Sequence, residues 1–223
     1  MDYRIISIGT LSRHDLWQES GPVRTPHATT TLVRVGDRVI LVDPALPPQV
    51  VAARLNERSG LMPEAVTDVF LTNFRPAHRW GIRGFDHAKW WIAELEREAI
   101  GAALVEQFKV EADEDARRMI EQDIALLKRC EPAPDRLAEQ VDLFPLPGYT
   151  PGTCGLLLGF PAATVLIAGD AVATTEHLEQ AKVLRGAWNV KQALESLAEA
   201  IEIADIIVPG HDNVIVNPTR RRV

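Results

Sequence analysis

The strongest constraint on this chain is an apolar run that passes straight into a short polar loop, between residues 69 and 81. The run Val-Phe-Leu begins at residue 69 and ends at Thr72, and residues 73–78 then read Asn-Phe-Arg-Pro-Ala-His. A short apolar run bounded by turn residues and proline predicts a buried strand that hands over to a loop. We therefore expect residues 73–78 to form a polar loop directly after a buried strand.

Further strands are predicted on both sides of this loop. In the first third, Thr30–Val35 and Arg38–Asp43 are joined across Gly36-Asp37, which predicts a β-hairpin, and Tyr3–Ile8 precedes them. In the last third, three strands and a short closing strand are predicted: Val141–Leu146, Cys154–Gly159, Thr164–Ala168 and Ile206–Val208. Residues 10–29 have no period, and we expect a loop that overhangs a site.

Helical spacing of apolar residues appears in four segments. These segments are Gln49–Ser59, Ala88–Gly101, Asp113–Lys128 and Val190–Ala204. Trp90 and Trp91 fall near the start of the second one, where we expect one core side chain and one half-buried neighbour. Strands, helices, strands and a helix in this order fit an α/β sandwich or a mixed-sheet domain, and we expect one domain over residues 1–223.

Composition and charge restrict the function. The net charge is −7, and the basic cluster at the C-terminus, 220–222, is short, so nucleic-acid binding is not expected. No apolar run approaches the about 18 residues that a membrane span needs. Cys130 and Cys154 lack the spacing of a disulfide framework or zinc knuckle. We expect a cytoplasmic protein with a small-molecule substrate or anion as partner, with homo-oligomers left open.

Five short motifs, in this order, resemble those of the metallo-β-lactamase superfamily. They are Leu-Val-Asp43, the Leu-Thr of residues 71–72 with the loop to His78, Leu146–Gly152 (Leu-Pro-Gly-Tyr-Thr-Pro-Gly), Ala-Gly-Asp170 and Pro-Gly-His211. The resemblance covers roughly residues 30–213. It implies an αββα sandwich, two mixed β-sheets flanked by helices, with the site at one edge of the sandwich.

The resemblance also implies a degenerate metal site. In dinuclear members, the three histidines that bind the first metal match Asn73, Arg75 and Tyr149. The residues that bind only the second metal match Ala77, His78 and His211. The carboxylate that bridges both metals matches Asp170. The first site is therefore lost, whereas His78, Asp170 and His211 remain. Two imidazoles and a carboxylate suffice for one zinc, or for one ferrous iron.

Arg75 argues against any metal. Its guanidinium could occupy the place of the lost metal and pair bidentately with Asp170, leaving the site without an ion. In the family, the residue matching Asp43 supports the metal loop from behind, and we carry over that supporting role to Asp43 and to Asn73. The resemblance thus implies one zinc or iron ion at most, or none.

Three functions follow from this ligand set. The first is a hydrolase with one metal, acting on a small ester, lactone, thioester or amide, with Asp170, Tyr149 and Arg75 as catalytic residues and Tyr149 or Arg75 stabilising the oxyanion. The second is a metal-free, inactive member that binds a small anion or a protein partner through Arg75, His78 and Arg79. The third and weaker one is mononuclear iron oxidation.

The other histidines are left with two readings each. His27 is either a replacement ligand or a solvent-facing loop residue, and His87 either contacts the site or caps a helix start. His177 lies in residues 174–177, which look like a helix start, and it either reaches the site or has no role there. His14 has no pattern around it that assigns a role.

Overall fold

The computed structural model describes residues 1–220, so Arg221 and Arg222 of the basic tail lie outside the described residues. Its first sheet has six strands in the spatial order β1-β2-β3-β4-β5-β6. Their bounds are β1 Asp2–Ser7, β2 Thr30–Val35, β3 Arg38–Val42, β4 Asp68–Leu71, β5 Lys89–Ile92 and β6 Glu131–Pro132. The first three strands are antiparallel, and β3 to β6 run parallel to one another.

The second sheet also has six strands, in the order β12-β11-β10-β9-β8-β7. Their bounds are β7 Arg136–Ala138, β8 Val141–Pro145, β9 Cys154–Gly159, β10 Thr164–Gly169, β11 Ile206–Pro209 and β12 Ile215–Val216. Only β10 and β11 are parallel neighbours. The helices are α1 Pro48–Ser59, α2 Pro76–Arg79, α3 Glu94–Val110, α4 Glu114–Arg129, α5 Thr175–Glu179 and α6 Val190–Ile203.

The strands alternate their side chains between two cores, as the two-residue period of a strand requires. On β4, Phe70 enters the core between the sheets, whereas Val69 and Leu71 face the helix-covered core of the first sheet. On β10, Val165 and Ile167 face the first sheet, and the intervening residue packs toward α6. Both faces of each sheet are thus buried, which gives the helix–sheet–sheet–helix layering that the resemblance implied.

One predicted helix boundary was wrong. Residues 89–92 form β5, with Trp90 and Trp91 on opposite faces, and α3 begins only at Glu94. Helical spacing and strand alternation are hard to tell apart in a four-residue apolar run, and pairing with β4 decides for the strand. The hairpin at Gly36-Asp37 and the end of α1 at Gly60 are confirmed.

No helix among residues 1–220 combines the length and the apolar character that crossing a bilayer requires.

Candidate active site

The site lies where parallel strands of both sheets end. Asp43 follows β3, Thr72 and Asn73 follow β4, Asp170 follows β10 and His211 follows β11. The carboxyl ends of parallel strands point to the same edge, and loops at such edges commonly form binding sites in α/β folds. This edge therefore collects polar side chains from distant parts of the sequence.

Glycines allow these strand ends to approach closely. Gly169 has φ +54°, and a Cβ there would lie 2.5 Å from Thr72 Oγ1. A Cβ on Gly210 would lie 2.8 Å from the carbonyl carbon of Gly169. Such distances are below any real carbon contact, so the Gly-Asp and Gly-His motifs place their functional residues only because the preceding residue has no side chain.

The Asp43 carboxylate holds the polar loop from behind. Asp43 is buried and has φ +48°, a left-handed conformation that aspartate tolerates better than most residues. Its Oδ1 accepts a bond from Thr72 N (2.9 Å), and its Oδ2 accepts one from Thr72 Oγ1 (2.7 Å). Its Oδ2 also lies 2.9 Å from His78 Nδ1, so one carboxylate ties the end of β4 to the histidine of α2.

His78 is fully buried between two carboxylates. Its Nδ1 faces Asp43, and its Nε2 lies 2.8 Å from Asp170 Oδ2. Burial by itself lowers the pKa of His78, but the negative charges of Asp170 and Asp43 outweigh it and raise the pKa to about 10. Without a metal, His78 is therefore an imidazolium ion at neutral pH.

His211 approaches the same carboxylate from the second sheet. Its Nε2 lies 2.8 Å from Asp170 Oδ1. Its Nδ1 lies 3.0 Å from the carbonyl oxygen of His27 and 3.2 Å from that of Thr10, so this nitrogen is the donor in each bond. The two backbone carbonyls thereby fix the tautomer and the ring orientation of His211.

Asp170 is the centre of the cluster. Asn73 Nδ2 donates a bond of 2.9 Å to its Oδ2, alongside the imidazoles of His78 and His211. Burial disfavours the charged form of this carboxylate, but the positive charges of the two histidines and their hydrogen bonds hold the pKa of Asp170 well below its usual value. Asp170 is thus an anion with every neighbour arranged to stabilise its charge.

The donor set fits a metal ion. One nitrogen each of His78 and His211 and an oxygen of Asp170 lie within 4.8 Å of one another, and all three residues are buried. Both histidines turn their Nδ1 toward acceptors and their Nε2 toward Asp170, the arrangement in which a neighbouring group orients a metal-binding imidazole. A divalent cation here would take the place of the proton shared between His78 and Asp170.

The expected pairing of Arg75 with Asp170 is wrong. Arg75 is exposed, and among residues 1–220 no ion pair joins it to Asp170. Its backbone is extended before Pro76, and its N–H donates to Asn73 Oδ1 at 2.9 Å, so the shorter Asn73 side chain reaches the carboxylate instead. The guanidinium lies over the ring of Tyr149, with 5.2 Å from its carbon to the ring centroid.

Tyr149 stands beside the cluster, half-buried, in the loop between β8 and β9. Burial raises the pKa of Tyr149 to about 12, and the charge of Asp170 adds to this while Arg75 opposes it. The phenol is therefore protonated at neutral pH and able to donate a hydrogen bond. The Asp170 cluster, Tyr149 and Arg75 all line one cavity of about 530 Å³.

Arg79 does not belong to this cavity. Its guanidinium is buried, pairs with Asp123 at 2.8 Å and lies over the ring of Phe74, and its Nε donates to the Phe74 carbonyl. The expected use of Arg79 as an anion contact in the cavity is therefore wrong, because its charge already supports the loop that leads to α2.

Of the remaining histidines, His87 and His27 keep their rings away from Asp170. The His87 ring contacts the carbonyl of Val66, so a contact with the site is excluded, and no helix starts there for it to cap. The His27 ring contacts the carbonyls of Thr25 and Ile8, and only its own carbonyl reaches His211.

Sequence reasoning missed a second histidine cluster next to the site. His14, Trp17 and His177 gather around Thr174: the His14 ring stacks on Trp17 at 4.1 Å, and Thr174 Oγ1 lies 3.1 Å from His14 Nε2 and 2.9 Å from His177 Nδ1. Trp17 Nε1 also donates to Glu176 at 2.9 Å. The cluster connects the loop of residues 10–29 to α5. Of these features, only the start of α5 could be predicted from the sequence.

The loop of residues 10–29 overhangs the cavity, as expected. It contributes Leu11, Ser12, Arg13, Asp15, Pro22 and Pro26 to the lining. The cavity is therefore closed on one side by a loop that carries no recognisable motif.

Comparison with known proteins agrees with this architecture. Residues 24–211 match the model of the family described as the metallo-beta-lactamase superfamily. A putative metallo-beta-lactamase from Thermotoga maritima is similar over 96% of this chain and 98% of its own, with a TM-score of 0.70 and 17% identity. No curated protein sequence matches this chain.

One similar solved structure is named a lactonase, and a second has a homoserine derivative bound at its active site. The dizinc quorum-quenching lactonase AidC, in complex with a product, is similar over 78% of this chain and 67% of its own, with a TM-score of 0.64 and 17% identity. A mutant of AiiA from B. thuringiensis, with N-decanoyl-L-homoserine bound at its active site, is similar over 92% of this chain and 89% of its own, with a TM-score of 0.62 and 18% identity. At these identities the likeness concerns the fold.

Proposed function

Because the chain belongs to the metallo-beta-lactamase superfamily, we propose that it is a hydrolase that uses one metal ion, held by His78, Asp170 and His211. The substrate class is a small ester, lactone, thioester or amide. The observation that carries the proposal is the orientation of the two imidazoles, whose Nδ1 atoms are engaged by Asp43 and by backbone carbonyls. Nε2 of each ring is thereby directed at the carboxylate that would share the metal.

A zinc ion bound to these three residues would supply Lewis acidity and lower the pKa of water toward neutrality. Asp170 would carry the charge that attracts the ion, and the Asn73 amide would hold that carboxylate in place. Asp43 would orient His78, which in comparable sites affects metal affinity by about 10- to 100-fold.

Tyr149 would act on the substrate's carbonyl oxygen, and Arg75 lies beside it. The Tyr149 phenol keeps its proton because its pKa is about 12, so it can donate a hydrogen bond to an oxygen that becomes negative. Arg75 lies over the same ring and adds a permanent positive charge at that side of the cavity. Together they occupy the side on which the first metal of dinuclear relatives would lie.

Metal content and lactone hydrolysis test the proposal. Protein purified without chelator is expected to hold about one equivalent of zinc and to open dihydrocoumarin, a simple lactone chosen because AidC is named a lactonase. His211→Ala is expected to lose both, whereas Arg54→Gln, on exposed α1, is the control and keeps both. Less than about 0.1 equivalent of metal in the wild type, with hydrolysis unchanged in His211→Ala, would refute the one-metal enzyme.

A metal-free protein that binds a small anion is the second candidate. The observation that favours it is the charge balance of the cluster, in which the His78 imidazolium pairs with both Asp43 and Asp170. Iron in place of zinc in the same analysis would favour the weaker oxidative alternative, since two histidines and a carboxylate also suit ferrous iron.

A further inference from the structure

The cavity above the Asp170 cluster is positively charged, although the chain has a net charge of −7. Three arginines line it, namely Arg13, Arg75 and Arg185, against the carboxylates of Asp15 and Asp170. Asp170 is already paired with His78 and His211. Among the described residues that line the cavity, Asp15 is therefore the only carboxylate left to balance three guanidinium groups.

Asp15 is shared by two of these arginines. Arg13 lies 2.7 Å from its Oδ1, and Arg185 Nε lies 3.2 Å from its Oδ2. Arg75 is the third, and among residues 1–220 it has no carboxylate partner, only the face of the Tyr149 ring. A guanidinium group presents a planar fork of donors that matches a carboxylate with two parallel hydrogen bonds.

We propose that the substrate of this hydrolase carries a carboxylate group remote from the bond that is cleaved, and that Arg75 binds it in bidentate fashion. Arg13 and Arg185 add the positive field that draws an anion into the cavity. The proposal rests on the function proposed above and narrows its substrate class to esters or lactones with a free carboxylate. The contact with the Tyr149 ring places the guanidinium group beside the phenol that would face the reacting oxygen.

A matched pair of chromogenic esters tests this specificity in the zinc-loaded protein. Mono-4-nitrophenyl glutarate carries the remote carboxylate, and 4-nitrophenyl pentanoate has the same chain length without it. We expect kcat/KM to favour the glutarate ester by about 10-fold or more, mainly through KM, because charge-assisted hydrogen bonds to Arg75 would strengthen its binding. In Arg75→Gln the ratio is expected to fall to about one. Arg54→Gln, an arginine paired with Glu57 on α1, should keep the wild-type ratio.

Glutarate binding provides a readout that needs no catalysis. Titration calorimetry on metal-free wild type is expected to give saturable binding of glutarate below about 10 mM, weakened about 10-fold or more in Arg75→Gln. If glutarate binds in this way but neither ester is hydrolysed, the proposed enzymatic function is overturned, whereas the assignment of Arg75 as an anion-binding residue is retained. Equal glutarate affinity in wild type and Arg75→Gln, or tighter binding of inorganic phosphate than of glutarate, would overturn the carboxylate assignment.

Discussion

At the scale of single residues, hydrogen bonds from neighbouring groups hold each charged group of the site in position. The Asp43 carboxylate, the carbonyls of Thr10 and His27, and the Asn73 amide each determine the position or tautomer of a group around Asp170. In the second histidine cluster burial prevails instead, although the carboxylate of Glu176 lies 3.3 Å from His14. Burial and the nearby charge of His14 together lower the pKa of His177 to about 4.

This lowered pKa predicts a dependence of stability on pH. The unfolded chain binds the His177 proton with a pKa near 6.5, whereas the folded chain binds it only near pH 4, so between these values the unfolded state holds more protons. The contribution of neutral His177 to stability is therefore complete above about pH 6.5, declines as the pH falls, and is exhausted below about pH 4. We expect its size to be on the order of 3 kcal/mol.

Urea unfolding at several pH values measures this contribution. His177→Gln is expected to lose less stability than wild type between pH 6.5 and pH 4. His87→Gln is the matched control, because the replaced ring is exposed and contacts only the Val66 carbonyl among the described hydrogen bonds. Parallel curves for wild type and His177→Gln would contradict the prediction.

At the scale of elements, the site depends on how closely the ends of β4, β10 and β11 approach. Thr72 O accepts a bond from Cys154 N at 2.9 Å, and Thr29 N donates to Gly210 O at 2.6 Å, so backbone bonds cross between the strand ends. Gly169 lies against Thr72 at this junction. The glycine of the Gly-Asp motif is therefore a packing requirement between two sheets as much as a turn residue.

Two glycine-to-alanine variants separate packing from backbone strain. Gly36 and Gly169 have nearly the same φ, +56° and +54°, but a Cβ on Gly36 meets nothing within 4 Å, whereas one on Gly169 lies 2.5 Å from Thr72 Oγ1. We expect Gly36→Ala to cost about 1–2 kcal/mol from the left-handed backbone alone. Gly169→Ala should cost about 1–3 kcal/mol more, because Thr72 must move.

Denaturant unfolding of both variants gives the difference directly. Zinc content measured in parallel should drop in Gly169→Ala and stay at the wild-type level in Gly36→Ala, since only the former displaces the Asp170 junction. Equal loss of stability in the two variants would show that the strand ends have room to relax.

At the scale of the whole molecule, the cluster joins the two halves of the sandwich. His78 and Asp43 belong to the first sheet's loops, whereas Asp170 and His211 follow strands of the second sheet. A metal bound by all three ligands would cross-link the sheets at this edge. Its binding energy would then add to the stability of the fold, because the unfolded chain does not hold the three ligands together.

Thermal unfolding with and without zinc tests this coupling. At a free zinc concentration of one hundred times Kd, binding stabilises the folded state by about 2.7 kcal/mol. For a chain of this length that corresponds to a rise in Tm of about 5–10 °C. His211→Ala should show no rise, whereas Arg54→Gln should behave as wild type. A rise of equal size in His211→Ala would mean that zinc binds elsewhere.

The sequence by itself determined most of the longer strands and helices and the residues at the strand ends. The hairpin at Gly36-Asp37 could be predicted because turn chemistry and strand periodicity act locally, whereas the five motifs were recognised by their resemblance to a known family. Trp90 and Trp91 could not be assigned this way, because the four residues 89–92 fit the period of a helix as well as that of a strand. Only their pairing with β4 decides for the strand.

Only the tertiary structure decided what Arg75 does. From its position in the motif, Arg75 was expected to pair with Asp170. In the structure the Asn73 amide donates to that carboxylate, and the Arg75 guanidinium contacts the ring of Tyr149, more than seventy positions away in the sequence. The same holds for Arg13, Asp15, Arg185 and the cluster of His14 and His177, which lie together through loop packing. Which side chains from distant segments are buried together depends on how the whole chain packs, so these contacts are a property of the folded chain.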